Sequence, residues 1–432
     1  MLKRRRFVAA VVALGVCAVG AVGASGATGG AANIKYLSIS QNTTWAPTFQ
    51  VITNAYAKTK AGAGSTFTNE PFDQTDLNQQ VELAAGQGAL PFLYVTPATN
   101  VLKQLASQGE VLNIETEAKK LGVASDLSPA AMNIIQQVDG APDALPLELN
   151  IEGFWYNKAL FAKVGVKPPQ TWPQLVADAA KFEAAGIQPF AASGIQGWPL
   201  TRLISDYLFS ELGPDAMTNV ISGKASLTSP TYVKAAAQVA ALGAKGYFGP
   251  GVASLDYTPA EDVFLTGKAA MFYMGSWATA DFDNPADDQI GVSKIGFFPF
   301  PHVPGGKGPN PLIPANAGQT TSVNAKDLTP ATAGWLKYVI ETYGSYALLS
   351  VGQGTISGFK VAQYPANLSA PDKLVLSTLK TLKHPVLWFE ALFSAQATTT
   401  SQQDAAPLVT GQMSPIQFMT AVQDAVNQGG NA

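Results

Sequence analysis

The sequence predicts an α/β protein built in two lobes, and three observations support that class. At 432 residues the chain is longer than one hydrophobic core usually serves, which predicts two lobes of roughly 150 to 200 residues each. From residue 34, short apolar runs alternate with stretches of helical periodicity, the order that lays helices over a largely parallel sheet. The composition is 47% hydrophobic, 9% aromatic and only 13% charged, which describes a globular chain with a lightly charged surface rather than a disordered one.

The elements follow in order. IKYLSIS (34–40), STFTNEPF (65–72) and PFLYVTP (91–97) read as strands, separated by helices over 46–60, 75–87 and 98–108. Ligands of such sheets sit beyond the carboxyl ends of the strands, which points to Gln41 to Trp45, Asp73-Gln74 and Thr96. After Glu152 the alternation resumes with FWYN as a strand, a helix over 172–184, IQPFAAS as a strand and a further helix beginning near Pro199. In TWPQLVADAAKFEAAG the residues Leu175, Val176, Ala179 and Phe182 share one face, Thr171 is the N-cap, Pro173 sits in the first turn and Gly186 stops the helix. Thr258-Pro-Ala-Glu261 and Ser414-Pro-Ile-Gln417 have the spacing of capping boxes, so Glu261 reads as a cap rather than a catalytic acid.

Residues 1–32 read as an export signal: Lys3 to Arg6 are basic, Phe7 to Val22 apolar, and small residues follow. Cys17 is the single cysteine. It lies in Leu14-Gly15-Val16-Cys17, which resembles a lipobox and makes Cys17 a candidate for lipidation, although Val16 is larger than the residue usual before that cysteine. Cleavage after Ala24, Ala27 or Ala32 is the alternative, and Arg4-Arg5 leaves Sec and twin-arginine export both open. No stretch beyond residue 35 approaches eighteen consecutive apolar residues, so the mature chain is expected to be soluble and to lack an internal disulfide.

Much catalytic chemistry is missing. A net charge of −3 and a pI near 5.5 exclude the electrostatic footprint of a nucleic-acid binder. His302 and His384 are the only histidines, far apart, and no cysteine pair accompanies them, so no zinc site or other metal site is expected. No G-x-S-x-G occurs, and Gly305-Gly306-Lys307-Gly308 lacks the spacing of a phosphate loop. Gly352-Gln353-Gly354 followed by Gly358 misses the dinucleotide fingerprint. Asp281, Asp283, Asp287 and Asp288 lack the glycine and terminal glutamate of a calcium loop and read as a solvated turn. No cofactor is expected, and the surplus of tryptophan and amide side chains favours binding over catalysis.

Five stretches together carry a family resemblance. LPLELNIEGFWYNKALFAKVGVKPPQTWPQLVADAAKFEAAGI (145–187), FLTGKAAMFYMGSW (264–277), the segments 86–114 and 318–343, and LVTGQMSPIQFMTAVQDAV (408–426) resemble the extracellular solute-binding proteins of bacterial ABC importers. The nearest group is the carbohydrate-binding cluster that includes maltose-binding protein. Two positions depart from it: Pro91-Phe92 stands where the family usually has Pro-Asp, and Asn150 where the maltose protein presents a glutamate. The resemblance implies a two-lobed periplasmic-binding-protein-like fold of type II. Its lobes are discontinuous, 33–146 with 321–356 and 154–315 with 363–432, joined by hinge crossings at 147–153, 316–320 and 357–362. It also implies a monomer that carries a carbohydrate to the permease subunits of an importer, with no reaction.

A pyranose offers an apolar C–H face and a rim of hydroxyls, which aromatic plates and polar side chains complement. Trp277 follows Gly275-Ser276 at a strand end and is the first stacking candidate, joined by Trp198, Trp45 and Trp388. Trp155 and Trp172 read as core. Asn150, Gln196, Asp73, Thr96 and Gln319 are the candidate polar rim. Other polar solutes, such as a glycerophosphodiester or a polyamine, are alternatives. A phosphate would ask for a cation in the cleft, and the nearest, Arg202, falls on a predicted helix. A glycoside hydrolase using Asp73 with Glu148 or Glu152 is a third reading.

Overall fold

The computed structural model describes residues 30–429 except 41, 43, 74–75, 98, 350–355, 363, 366–367 and 383–384. Cys17 with residues 1–29 of the export segment, Gln41, Gln74, the Gly352–Gly354 stretch and His384 therefore lie outside the described residues, whereas Ala32 is buried in the first core. Among those described, the strands are β1 (Asn33–Ile39), β2 (Thr66–Phe72), β3 (Leu93–Val95), β4 (Ala144–Leu145), β5 (Asn150–Asn157), β6 (Gln188–Ala191), β7 (Ala269–Gly275), β8 (Ile295–Phe298), β9 (Ala315–Asn316) and β10 (Thr321–Val323). They build two separate sheets.

The first sheet has the order β2-β1-β3-β10-β4. Its first three strands are parallel, as the alternation of strand and helix predicts, while β10 runs antiparallel between β3 and β4. The inserted strand arrives late in the chain, so this sheet closes only after the chain returns from the second one. The same return supplies the helix Pro330–Leu349, whose Trp335 and Tyr343 pack on Phe49 of the helix Trp45–Tyr56 with ring centroids 5.7 and 5.4 Å apart. The indole N–H of Trp335, fully buried, donates to Thr53 Oγ1 at 2.9 Å, which satisfies the one polar group that ring carries.

In the second sheet β5 is central, antiparallel to β7 and β8, with β6 parallel to β7 on the far edge and β9 pairing the first residues of β5. Because both faces of β5 are covered, NIEGFWYN shows no polar alternation. Phe154 stacks on Phe298 on one side, and Trp155 packs against Phe282 and Phe297 on the other. Trp155 and Trp172 are core residues, as expected: Trp172 stacks on Phe300 and donates to Gln238 Oε1 at 2.9 Å. The helices Trp198–Leu212, Pro230–Ala244, Ala395–Val409 and Pro415–Gln428 pack together over this sheet.

The chain passes between the sheets at 146–149, again at 317–320, and a third time near 356–359. The first and third passages bond to each other through Gly358 N to Pro146 O at 2.9 Å and Leu149 N to Ile356 O at 2.8 Å. Thr96 N to Thr320 O at 3.0 Å ties the second passage to the end of β3. Among the described residues no helix is long and apolar enough to cross a membrane.

Local signals set most helix starts. Thr171 with Gln174 and Ser414 with Gln417 form reciprocal capping boxes. The Thr258–Glu261 box does not form. That helix begins two residues earlier, at Tyr257 with Asp256 as N-cap, the Asp256 carboxylate accepting from Tyr257 N, which leaves Glu261 buried in the helix interior. The first helix ends at Tyr56 rather than 60, and the chain then doubles back so closely that a Cβ at Gly62 would lie 2.4 Å from Tyr56 O.

A similar close approach joins two helices of the second lobe. A Cβ on Gly243 would sit 2.0 Å from the carbonyl oxygen of Val409. Helix propensity alone favours Gly243→Ala by about 1 kcal/mol, whereas backbone overpacking costs about 1–3 kcal/mol. Packing should win, so urea unfolding is expected to show a lower midpoint for Gly243→Ala; a higher one would mean the two helices can separate freely.

Candidate functional site

Three tryptophans that lie far apart in the sequence line one cavity, Trp198 and Trp277 packing on the second sheet and Trp388 against the core of the first. Trp277 follows the end of β7, where the chain makes a tight turn over Ser276–Ala278. The indole folds back over the strand end so closely that a Cβ on Gly275 would lie 1.9 Å from it, which explains the glycine. Ser276 explains the next residue: its hydroxyl donates to Asn150 Oδ1 at 3.1 Å and accepts from Ile151 N at 3.2 Å, pinning the turn to β5. Trp277 Nε1 donates to the Tyr257 hydroxyl at 3.1 Å. Its ring edge then meets Trp198 at 5.8 Å between centroids, 63° between planes.

Trp198 opens its helix directly after Gly197, whose φ of +66° lies in the left-handed region. A side chain there would also run into Gln402 O at 1.9 Å, so the glycine lets two helices touch. One turn further, Arg202 projects from the same face. Its guanidinium carbon lies 5.4 Å from the ring of Trp198 and 5.6 Å from that of Trp388, which comes from the segment after the third passage. The three tryptophans, Arg202, Glu390, Thr398 and Gln402 line an open cavity of about 250 Å³.

Beneath the cavity lies a buried ionic network. Arg202 Nε donates to Glu152 Oε2 at 3.0 Å and Nη1 donates to Glu390 Oε2. The free oxygens of the two carboxylates accept from Asn316 Nδ2 at 2.8 Å and from the Thr201 hydroxyl. Glu152 is 0% exposed and Arg202 9%. Behind them Tyr273 donates to Asp206, whose carboxyl is held well above its ordinary range by burial. Glu152 is thus committed to a buried ion pair and closed to any substrate, which removes it from the carboxylate pair that the hydrolase reading requires.

A second group of side chains gathers at the passages between sheets. Trp45 is not an open platform: it is 3% exposed, packs in the first core, and donates through Nε1 to Glu148 Oε1 at 3.0 Å. Asn150 donates to Glu148 Oε2 at 3.2 Å while accepting from Ser276, so it ties the first passage to the turn after β7. Burial pushes the Glu148 carboxyl upward, against the lowering effect of bonds from Trp45, Asn150 and Asn42. Thr96 is buried and its hydroxyl bonds those of Thr320 and Ser322 at 2.8 and 2.9 Å. Gln319 is half-buried in the second passage, and its amide makes no bond among the described residues.

The remaining candidates lie apart. Gln196 donates to Asp256 Oδ1 at 2.8 Å, a bond that also lowers the Asp256 carboxyl. Asp73 is exposed at the end of β2. Arg202, Glu390 and Tyr257 were not among the expected site residues, and Glu148 was expected only as a partner of Asp73 in the hydrolase reading. For Arg202 the signal was its i+4 spacing from Trp198; a helical position was foreseen, but not that it faces the cavity. For Glu390 no local signal exists.

Part of the acidic turn also differs from expectation. Asp283 is exposed, as a solvated turn requires, but Asp281 is half-buried beside Glu261. Burial first, and then the charge of Asp281, pushes the Glu261 carboxyl up to about 8. Among the described residues no group of three or more acidic, histidine or cysteine side chains is arranged to hold a metal. Because the folded state keeps this proton and an unfolded glutamate loses it near 4.5, the group's contribution is intact below that value and is lost as pH rises through about 8. The melting temperature of Glu261→Gln relative to the parent is therefore expected to rise from pH 5 to pH 8.5. A flat difference would show that Glu261 titrates normally.

Comparison with known proteins agrees with this architecture. Residues 40–342 match the bacterial extracellular solute-binding protein family, and the chain belongs to it. Among curated relatives, an ABC transporter extracellular-binding protein of Pyrococcus horikoshii is 30% identical over 154 residues, covering 35% of this chain and 34% of the relative. A probable sugar-binding periplasmic protein of Brucella suis is 30% identical over 184 residues, 42% of each chain. The chain thus spans less than half the length of these two relatives. Among solved structures, a chitin oligosaccharide binding protein superposes with a TM-score of 0.77 at 23% identity, covering 92% of this chain and 99% of that one. A solute-binding protein in complex with raffinose reaches 0.68 at 17% identity over 92% and 99%. At these identities the likeness shows the fold.

Proposed function

We propose that this chain is the substrate-binding component of an ABC importer, which captures a mono- or oligosaccharide outside the membrane and delivers it to the permease subunits. The observation that carries this reading is the cavity walled by Trp198, Trp277 and Trp388 with charged and amide groups between them. Flat indoles match the C–H faces of a pyranose, and the polar groups meet its hydroxyls, each of which costs about 1–3 kcal/mol if buried without a partner. The Brucella suis relative is named as sugar-binding, and the structural neighbours are named for chitin oligosaccharide and raffinose.

The lobes are 33–146 with 321–356 and 154–315 with 363–432, and the crossings 147–153, 316–320 and 357–362 are the hinges. Ligand binds better to the closed arrangement, so it shifts the equilibrium toward closure and no covalent step is needed. Asn150, Thr96 and Gln319 lie at the passages that would bend, and Asp73 and Gln196 would meet the ligand from the two rims. The chain acts as a monomer after export directed by residues 1–32, with Cys17 lipidated or the signal removed after Ala24, Ala27 or Ala32. The mass of the mature N-terminal peptide distinguishes these two ends.

A thermal-shift screen of the mature protein tests the function. Mono-, di- and oligosaccharides are compared with glycerophosphodiesters and polyamines, read by tryptophan fluorescence. A ligand at 100 times its Kd adds about 2.7 kcal/mol to stability, a readily visible shift. A response confined to a small group of sugars is expected; a response only to a control solute would retain the fold and discard the carbohydrate. With the responding sugar, Trp277→Ala should lower affinity tenfold or more while keeping the parent's unfolding midpoint within a few degrees.

A further inference from the structure

Arg202 has donors left over. A guanidinium carries five N–H groups and no acceptor, and the bonds to Glu152 and Glu390 engage only Nε and one hydrogen of Nη1. Among the described residues nothing accepts from Nη2. The side chain is nine-tenths buried, and it lines the cavity between Trp198 and Trp388. Its orientation is not free, because the two carboxylates grip it from different segments and are themselves held by Asn316 and Thr201. The donors therefore stay aimed whether or not the cavity is filled, which is the preorganisation that a specific contact requires.

The charge beside those donors is also defined. Both carboxylates accept only from donors and face a single guanidinium, leaving one net negative charge under the cavity. Burial holds the Asp206 carboxyl behind them well above its ordinary range. An arginine free of such partners would attract a carboxylate or phosphate bidentately. Here both fork positions nearest the carboxylates are taken, and an anion entering the cavity would meet the Glu390 carboxylate in its wall and the net negative charge of the network behind it.

We propose that Arg202 is a ligand-contacting, specificity-determining residue: its Nη donors bind an uncharged acceptor, a hydroxyl or amide carbonyl oxygen, on a sugar held among the three tryptophans, while Glu152 and Glu390 exclude acidic sugars. This rests on the carbohydrate reading above and adds the substrate class, neutral rather than uronic or phosphorylated.

The test uses sugars paired by length and stereochemistry, D-galactose with D-galacturonate, D-glucose with D-glucuronate, and galactotriose with trigalacturonate, together with xylotriose and chitotriose. Affinities are measured by tryptophan fluorescence titration of the mature protein at pH 7.5. Binding confined to neutral probes, with at least a hundredfold preference over any acidic counterpart, is expected. Arg202→Lys keeps the charge but loses the fork, and should weaken the bound neutral probe tenfold or more. Glu390→Gln should raise the acidic-to-neutral affinity ratio at least tenfold, an effect that loosened packing would not give.

An acidic sugar bound as tightly as its neutral partner by the parent protein overturns the proposal without requiring any variant to fold. Unchanged affinity in a folded Arg202→Lys also overturns it, and leaves the carbohydrate reading standing. Binding of no sugar alongside a shift with a polyamine removes the carbohydrate reading itself, and this proposal with it.

Discussion

One buried guanidinium ties together three stretches of chain that lie far apart in the sequence. Arg202 rises from the helix Trp198–Leu212, Glu152 lies in β5 just beyond the first passage, and Glu390 belongs to the segment that follows the third. Removing charges from water is expensive, and an ion pair offsets that cost only with close geometry and further hydrogen bonds to its members. Here Asn316, beside the second passage, completes the shell. The network thereby touches the chain near each of its three passages between sheets. Its contribution is geometric, since it sets where Trp388 stands relative to Trp198.

The tryptophan wall then follows from backbone that leaves no room for alternatives. Gly275 allows the indole of Trp277 to lie over the strand end, and Gly197 allows Trp198 to start a helix in contact with Gln402. Ser276 fastens the turn to β5 through Asn150 and Ile151, while Tyr257 takes the indole N–H. Stacking surfaces gain from such rigidity, because an aromatic plate already in position pays less entropy on binding. Trp198 opens a helix, Trp277 sits in the turn at a strand end and Trp388 lies in an irregular segment, yet each ring makes a contact outside its own element.

Around the passages between the sheets the polar groups are committed to one another. Trp45 and Asn150 both bond Glu148, and Thr96, Thr320 and Ser322 bond in series. These bonds cross between segments on either side of the passages, so their strength bears on how the two sheets are held. A carboxylate raised by burial, as Glu148 is, marks a site where solvent has been excluded without a full countercharge.

The amino-acid sequence by itself determined the alternation of strand and helix, the parallel start of the first sheet, the caps at Thr171 and Ser414, and the core character of Trp155 and Trp172. Each of these depends on residues within a turn or two, or on periodicity that any folded context must respect. The Trp45 indole, by contrast, looked free at a strand end, and Glu148, 103 positions away, decides that it is not. Glu261 fitted a cap because the motif is local, but Asp256 captured the helix start and burial claimed the glutamate. The role of Arg202 was hidden for the same reason: its partners stand 50 and 188 residues away. Only a closed tertiary structure brings such groups into contact, because the distance law of electrostatics acts through space, while sequence patterns report neighbours along the chain.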